Sequence, residues 1–280
     1  MLKCRQRLDK YRIRKRIAEG GFATVFKALD TIEGINVALK VPHPHLINSD
    51  VLEDFRREVR LAARLDHQNV LPLKNASYID GNFVIVYALG EESLDERLRR
   101  RMAFSTAMNY AEQLMTAAAY AHRYRIIHCD IKPENVILFP DHRLRLADFG
   151  IARVAQKTIR ASGSGTVGFM APEQAMGRPS FRSDVFSLGL ILYRMFTGKL
   201  PEWPFEWPPP GYAIAKRRLH PEFIELLERA LELSPRRRFR DADQMLSAFK
   251  RVKAKTLRYH TSRSKTTKKG TKNGNATRRR

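Results

Sequence analysis

Hydrophobic and polar positions change rhythm about a third of the way along the chain. In the stretch INVALKV, Ile35, Val37, Leu39 and Val41 alternate with Asn36, Ala38 and Lys40, the period-two pattern of a strand with one buried face. The stretches YRIRKRI, TVFKALD and NFVIVYAL have the same character. One segment interrupts them: Val51, Leu52, Phe55, Val59 and Ala62 recur every three to four positions, which predicts a helix over 51–65 with Ser49 or Asp50 at its N-cap. After residue 93 helical spacing takes over, in SLDERLRRR, in the run through Met108, Ala111, Met115, Ala118 and His122, and in SDVFSLGLILYRMFTG and PEFIELLERALEL. The pattern predicts an α+β architecture, with a strand-rich lobe over 1–88, a helix-rich lobe over 89–250 and a cleft at the join.

With 280 residues, 43% of them apolar, the chain is long enough to bury a sizeable core. The net charge of +23 is unevenly spread: residues 251–280 hold twelve Lys and Arg, and no acidic residue follows Asp243. That composition predicts a disordered basic tail over 251–280. Such a tail is either a solvated charge run or a site for an anionic partner, nucleic acid or acidic protein, held through counterion release. Cys4 and Cys129 lie far apart and outside any metal-ligand spacing, which argues against a disulfide framework or structural zinc and for a reducing compartment. His43 and His45 lack the further ligands that a metal site needs. No apolar run approaches the ~20 residues of a membrane span, and the start MLKCRQR lacks a signal-peptide core, so a cytoplasmic location is expected.

Candidate chemistry begins at IAEGGFATVFKA, where Gly20 and Gly21 fall between two predicted strands. That is either a plain hairpin turn or a loop whose backbone can approach phosphate oxygens. Lys40 sits in a strand of alternating apolar residues, and Glu58 at the edge of the apolar face of the predicted helix needs a cationic partner, for which Lys40 is the candidate. Further on come His128, Asp130, Lys132, Pro133 and Asn135, then Asp148, Phe149 and Gly150. The order His-x-Asp-x-Lys-Pro-x-Asn followed by Asp-Phe-Gly, downstream of Val-Ala-Leu-Lys, resembles the eukaryotic-type serine/threonine protein kinase family, and the likeness runs from about Tyr11 to Lys250.

The resemblance implies a bilobal protein-kinase-like fold and transfer of the γ-phosphoryl group of ATP, with Mg²⁺, to protein serine or threonine hydroxyls, including autophosphorylation. It gives Asp130 the substrate hydroxyl, sets Lys132 beside the transferred phosphate, and gives Asn135 and Asp148 the metal. Lys40, braced by Glu58, would contact the α and β phosphates. Ile17 and Gly20 would cover the nucleotide, Val25, Ala38 and Ile137 would enclose the adenine, and Val86 would precede a hinge at Tyr87 to Leu89. Thr166, Glu173, Asp184 and Arg238 also match family positions, Glu173 pairing with Arg238 and Asp184 bonding the catalytic-loop backbone. There are two departures. Ala18 and Ala23 stand where the family loop has glycine, which supports the alternative of a pseudokinase scaffold, and a binding module acting through the basic tail is a third reading. Cys129 replaces an arginine that pairs with activation-segment phosphate in many members; a thiol cannot form that charge-assisted bond, so the loop is expected to work with little dependence on phosphate at Thr158, Ser162 or Ser164. Trp203, Trp207 and the prolines 208–210 are read as an insertion packed on the helical lobe, with a partner-docking surface as the alternative.

Overall fold

The computed structural model describes residues 3–21, 23–43, 49–149, 167–202 and 204–274, with the side chains of residues 49–51, 54, 58 and 264–274 outside that description. Backbone contacts divide it into two compact units. One comprises the chain up to Ser93 together with the segment that starts at Asn135; the other comprises Leu94–Glu134 and the C-terminal remainder.

The first unit is built on a six-stranded antiparallel sheet of order β1-β2-β3-β4-β6-β5. Its strands are β1 (Arg7–Leu8), β2 (Tyr11–Glu19), β3 (Ala23–Asp30), β4 (Ile35–Pro42), β5 (Leu73–Ile79) and β6 (Asn82–Ala88). Alternation sorts the side chains onto two faces. Tyr11, Ile13, Phe26, Ala28, Val37, Leu39, Val84 and Val86 form one cluster. Ala23, Phe83, Ile85 and Tyr87 form the other, where Leu52, Phe55 and Val59 of helix α1 (Ser49–Ala62) cover them. The helix stripe read from the sequence is therefore the face that packs. A smaller sheet joins β7 (Glu92–Ser93), β8 (Val136–Phe139) and β9 (Arg143–Leu146), and Leu146 also bridges to Val70. These pairings draw the segment from Asn135 into the first unit, which a single boundary at residue 89 does not anticipate.

The second unit is helical: α2 (Leu94–Leu98), α3 (Phe104–Arg123), α4 (Pro172–Ala175), α5 (Phe181–Thr197), α6 (Tyr212–Arg218), α7 (Pro221–Ala230) and α8 (Ala242–Gly274). Helix α5 is its axis and is buried along almost its whole length. The hydroxyl of Ser180 accepts from the Arg182 N–H, the Ser183 hydroxyl accepts from the Ser180 N–H, and left-handed Gly198 (φ 72°) ends the helix. Gly189 lets α7 approach: a Cβ there would lie 3.0 Å from the side chains of Ala230 and Leu231. The proline-rich segment is packed, as one of its two readings requires. Tyr193 of α5 donates to the carbonyls of Pro209 and Pro210 (3.1 and 3.0 Å), and Trp207 meets the rings of Tyr193 and Tyr212 edge-on. Burial pushes the Tyr193 phenol up to about 12. Trp203 lies outside the described residues. No helix among the described residues is long and apolar enough to cross a membrane.

The expected disorder from residue 251 is corrected: α8 continues to Gly274. Met245, Leu246, Phe249, Val252 and Thr256 are buried, so the apolar stripe runs past the presumed boundary at helical spacing, hidden by the surrounding lysines and arginines. The cations themselves join the packing, Lys253 pairing with Glu112 and Lys255 with Glu222 (2.6 Å). His260 stacks on Phe104 with ring centroids 3.8 Å apart, and the Arg218 guanidinium lies over the same Phe104 ring at 5.6 Å. Burial, and then the nearby Arg218 charge, hold the His260 imidazole below its ordinary pKa. Because the unfolded chain takes up that proton first, stability falls as pH drops below about 6.5. The melting temperature of the wild type should therefore fall more steeply between pH 7 and pH 5 than that of His260→Phe; parallel curves would refute the contact.

Candidate active site

Lys40 lies on β4 directly opposite Val25 of β3 and Ile85 of β6. This is the sheet face that carries Ile85 and Tyr87 and that Phe55 of α1 covers, and Lys40 is only 6% exposed. A lysine this buried needs an opposite charge. Its ammonium donates to Asp148 Oδ1 at 2.9 Å, across 108 residues of sequence, and stands 5.9 Å from the Phe55 ring centroid. Glu58 is on α1, but its side chain lies outside the described residues, as do Gly150 and Thr166.

Asp148 follows β9 in the left-handed region (φ 63°), a conformation that costs a non-glycine residue on the order of 1 kcal/mol. Its neighbours fix it. Ala147 donates to the Asn135 carbonyl at 2.8 Å, Ala147 packs in the Phe55 cluster, and Phe149 is 3% exposed. Asn135 and Asp148 thus issue from the two ends of one hairpin, and their amide and carboxylate oxygens are the hard donors that suit Mg²⁺, which keeps waters and takes phosphate oxygens besides. Among the described residues no cluster of three His, Cys, Asp or Glu has metal-ligand geometry, and His43 lies 3.0 Å from the Thr24 hydroxyl.

The remaining predicted nucleotide contacts divide. Ala38 pairs with Lys27 and Tyr87, and with Ile137 it borders the Phe55 cluster. Val25 shares that face, and Ile17 is 46% exposed near the end of β2. Leu89 follows β6 directly. Val86 is the exception: it packs in the opposite cluster with Leu39, its cross-strand partner, and is 1% exposed. The positions of β6 that share the Lys40 face are Ile85 and Tyr87. A one-residue offset in a period-two strand reverses the face, which is why matching the segment to a family pattern misplaced it. Gly20 closes the β2–β3 turn by donating to the Ala23 carbonyl at 2.9 Å. Neither Ala18 nor Ala23 has positive φ; Ala18 pairs with Val25, and Ala23 is buried. Alanine at these two positions therefore strains nothing.

In the second unit Lys132 Nζ stands 3.0 Å from Asp130 Oδ2, both side chains partly exposed. The loop beneath them hangs on Asp184 of α5, which is fully buried. Asp184 Oδ2 accepts from the His128 N–H (2.8 Å) and from His122 Nε2 (2.9 Å), and Oδ1 accepts from the Cys129 N–H (2.8 Å). His122 Nδ1 accepts from the Ala242 N–H at 3.0 Å, so its proton is on Nε2. Cys129 is left-handed (φ 62°), and its carbonyl accepts from Gln174 Nε2 at 2.5 Å. Both ends of the strained residue are therefore pinned. Arg238, 2% exposed, grips both carboxylate oxygens of Glu173 at 2.8 and 3.1 Å and donates to the carbonyls of Arg182, Glu232 and Leu233. The expected pairs of Asp184 with the loop and of Glu173 with Arg238 are thus present. No sequence signal marks Gln174, and His122 is visible in the sequence only as one more member of a helical stripe.

The protein kinase domain family matches residues 11–249. The chain is 29% identical over 268 residues to a probable serine/threonine-protein kinase of Clostridium acetobutylicum, covering 88% of this chain and 40% of that protein. It is 31% identical to the serine/threonine-protein kinase PknA of Mycobacterium tuberculosis, covering 88% of this chain and 62% of that one. The chain thus spans less than two thirds of the length of both relatives. The kinase domain of Mycobacterium tuberculosis PknI superposes with a TM-score of 0.71 at 23% identity, covering 90% of this chain and 99% of that one, a likeness of fold.

Replacing Asp184 with alanine leaves three buried donors without their acceptor, at about 1–3 kcal/mol each. Urea denaturation should show Asp184→Ala destabilised by about 3 kcal/mol or more and Asp184→Asn, which keeps one acceptor oxygen, by less. A loss below about 1 kcal/mol in the alanine variant would contradict the anchoring role.

Proposed function

The chain belongs to the protein kinase family, and from that premise we propose that it is an active serine/threonine kinase that transfers the γ-phosphoryl group of ATP to protein hydroxyls, its own among them. The observation that carries this reading is the pairing of buried Lys40 with partly exposed Asp148, with Asn135 tied to the residue before Asp148. Phosphoryl transfer asks little covalent chemistry of a protein; it needs an oriented nucleophile and dispersal of charge on the phosphates. Asp130 orients the substrate hydroxyl and accepts its proton, while Lys132, 3.0 Å away, faces the transferred group. Lys40 holds the α and β phosphates. Asn135 and Asp148 would hold Mg²⁺, which neutralises the phosphate oxygens when bound. Val25, Ala38 and Ile137 offer apolar contact to the adenine, the backbone from Tyr87 to Leu89 offers it hydrogen bonds, and Ile17 and Gly20 cover it.

The pseudokinase alternative rests on Ala18 and Ala23, and the unstrained backbone at both positions removes its main support. Free Cys4 and Cys129 favour a reducing compartment, and we place the protein in the cytoplasm on that ground. Incubation of purified protein with radiolabelled ATP and a generic protein substrate should label serine and threonine, and Asp148→Ala should lower incorporation by about a hundredfold or more. Equal label in both proteins, or none in the wild type, would refute catalysis.

A further inference from the structure

Lys15 of β2 and Lys27 of β3 are direct cross-strand partners. Like charges placed opposite one another on a sheet are destabilising. Arg14 joins them because β2 is irregular at this point. Ile13 pairs with Ala28 and Lys15 with Lys27, so Arg14 is an extra residue between consecutive pairs. In a regular strand Arg14 and Lys15 would point to opposite faces; the bulge re-aims them, and both line one open groove of about 370 Å³ together with Lys27 and Asn36. Several neighbouring cations have carboxylates: Lys10 meets Asp30 at 2.8 Å, Lys74 meets Glu33 at 2.7 Å, and Arg16 pairs with Glu19. Among the described residues the side chains of Arg14, Lys15 and Lys27 form no ion pair or hydrogen bond, and no carboxylate lines the groove. Charged side chains often protect an exposed sheet edge, but Lys27 is on β3, an interior strand between β2 and β4, where edge protection assigns it no role.

We propose that this groove binds the phosphate monoester of a phosphoserine or phosphothreonine in a partner protein. A single carboxylate would leave most of the positive charge uncompensated, whereas a phosphate monoester carries about −1.5 to −2 and three strong acceptor oxygens. The Arg14 fork and two ammonium groups supply opposite charge, and with the Asn36 amide they supply donors for all three oxygens. Lys27 is the cross-strand partner of Ala38 and lies two residues along β3 from Val25, the partner of Lys40, so the groove is on the same sheet face as the proposed adenine contacts, but neither Lys40 nor Asp148 lines it.

The test is fluorescence anisotropy of the full chain without ATP, using a labelled phosphothreonine peptide and its unphosphorylated parent at about 150 mM salt, where long-range attraction to the basic C-terminal region is screened. The phosphopeptide should bind about tenfold or more tightly than its parent, and Lys15→Gln/Lys27→Gln should erase that preference, with a melting curve confirming the fold. Should the double variant not fold, Lys15→Gln alone, at an exposed position, should reduce the preference. Equal binding of the two peptides, or a preference that survives substitution, overturns the proposal. So does displacement of the peptide by inorganic phosphate at the peptide's own affinity, which would assign the groove to the free ion.

Discussion

A buried lysine ammonium held against a partly exposed carboxylate is the constraint around which the first unit is arranged. Lys40 is 6% exposed and Asp148 Oδ1 is 2.9 Å from it. Taking the Lys40 charge out of water alone costs several kcal/mol, so it depends on the carboxylate being delivered accurately. Delivery comes from two directions. Cross-strand pairing with Val25 and Ile85 fixes Lys40 on the face covered by α1. The β8–β9 hairpin, its bridge to Val70 and the bond from Ala147 to Asn135 fix Asp148 in a left-handed conformation that nothing local would favour.

The second unit solves a related problem with a buried carboxylate. Asp184 accepts three hydrogen bonds, two of them from successive amides of the loop that carries Asp130. Cys129, between those amides and Asp130, is strained in the same left-handed sense as Asp148 and is held at its N–H by Asp184 and at its carbonyl by Gln174. In both units a side chain proposed to do chemistry sits at or beside a residue whose backbone the fold forces, which is where stored strain is expected in a functional site.

Much of this was legible in the sequence because it is written in local patterns. The alternation in INVALKV placed Lys40 on the face opposite Val37, Leu39 and Val41, and the spacing from Val51 to Ala62 placed the packing face of α1. The His-x-Asp-x-Lys-Pro-x-Asn and Asp-Phe-Gly runs marked both loops. What was hidden depends on register or on distant partners. The family pattern sets Val86 at the nucleotide, whereas the register of β6 turns it to the other core. The stripe of Val252 and Thr256 was masked by the charge around it, because composition averages over a helix whose buried face is narrow. The bulge at Arg14 leaves no mark in the sequence at all: only the pairing of Lys15 with Lys27 reveals it.

The central claim is that Lys40 and Asp148 form a nucleotide and metal site rather than a structural ion pair. Isothermal titration calorimetry of a non-hydrolysable ATP analogue, with and without Mg²⁺, tests it most directly. The account predicts tighter binding in Mg²⁺ for the wild type, loss of that gain in Asp148→Asn, and weakened binding with or without the metal in Lys40→Met. An analogue affinity indifferent to Mg²⁺ in the wild type, or a metal gain undiminished in Asp148→Asn, would contradict it.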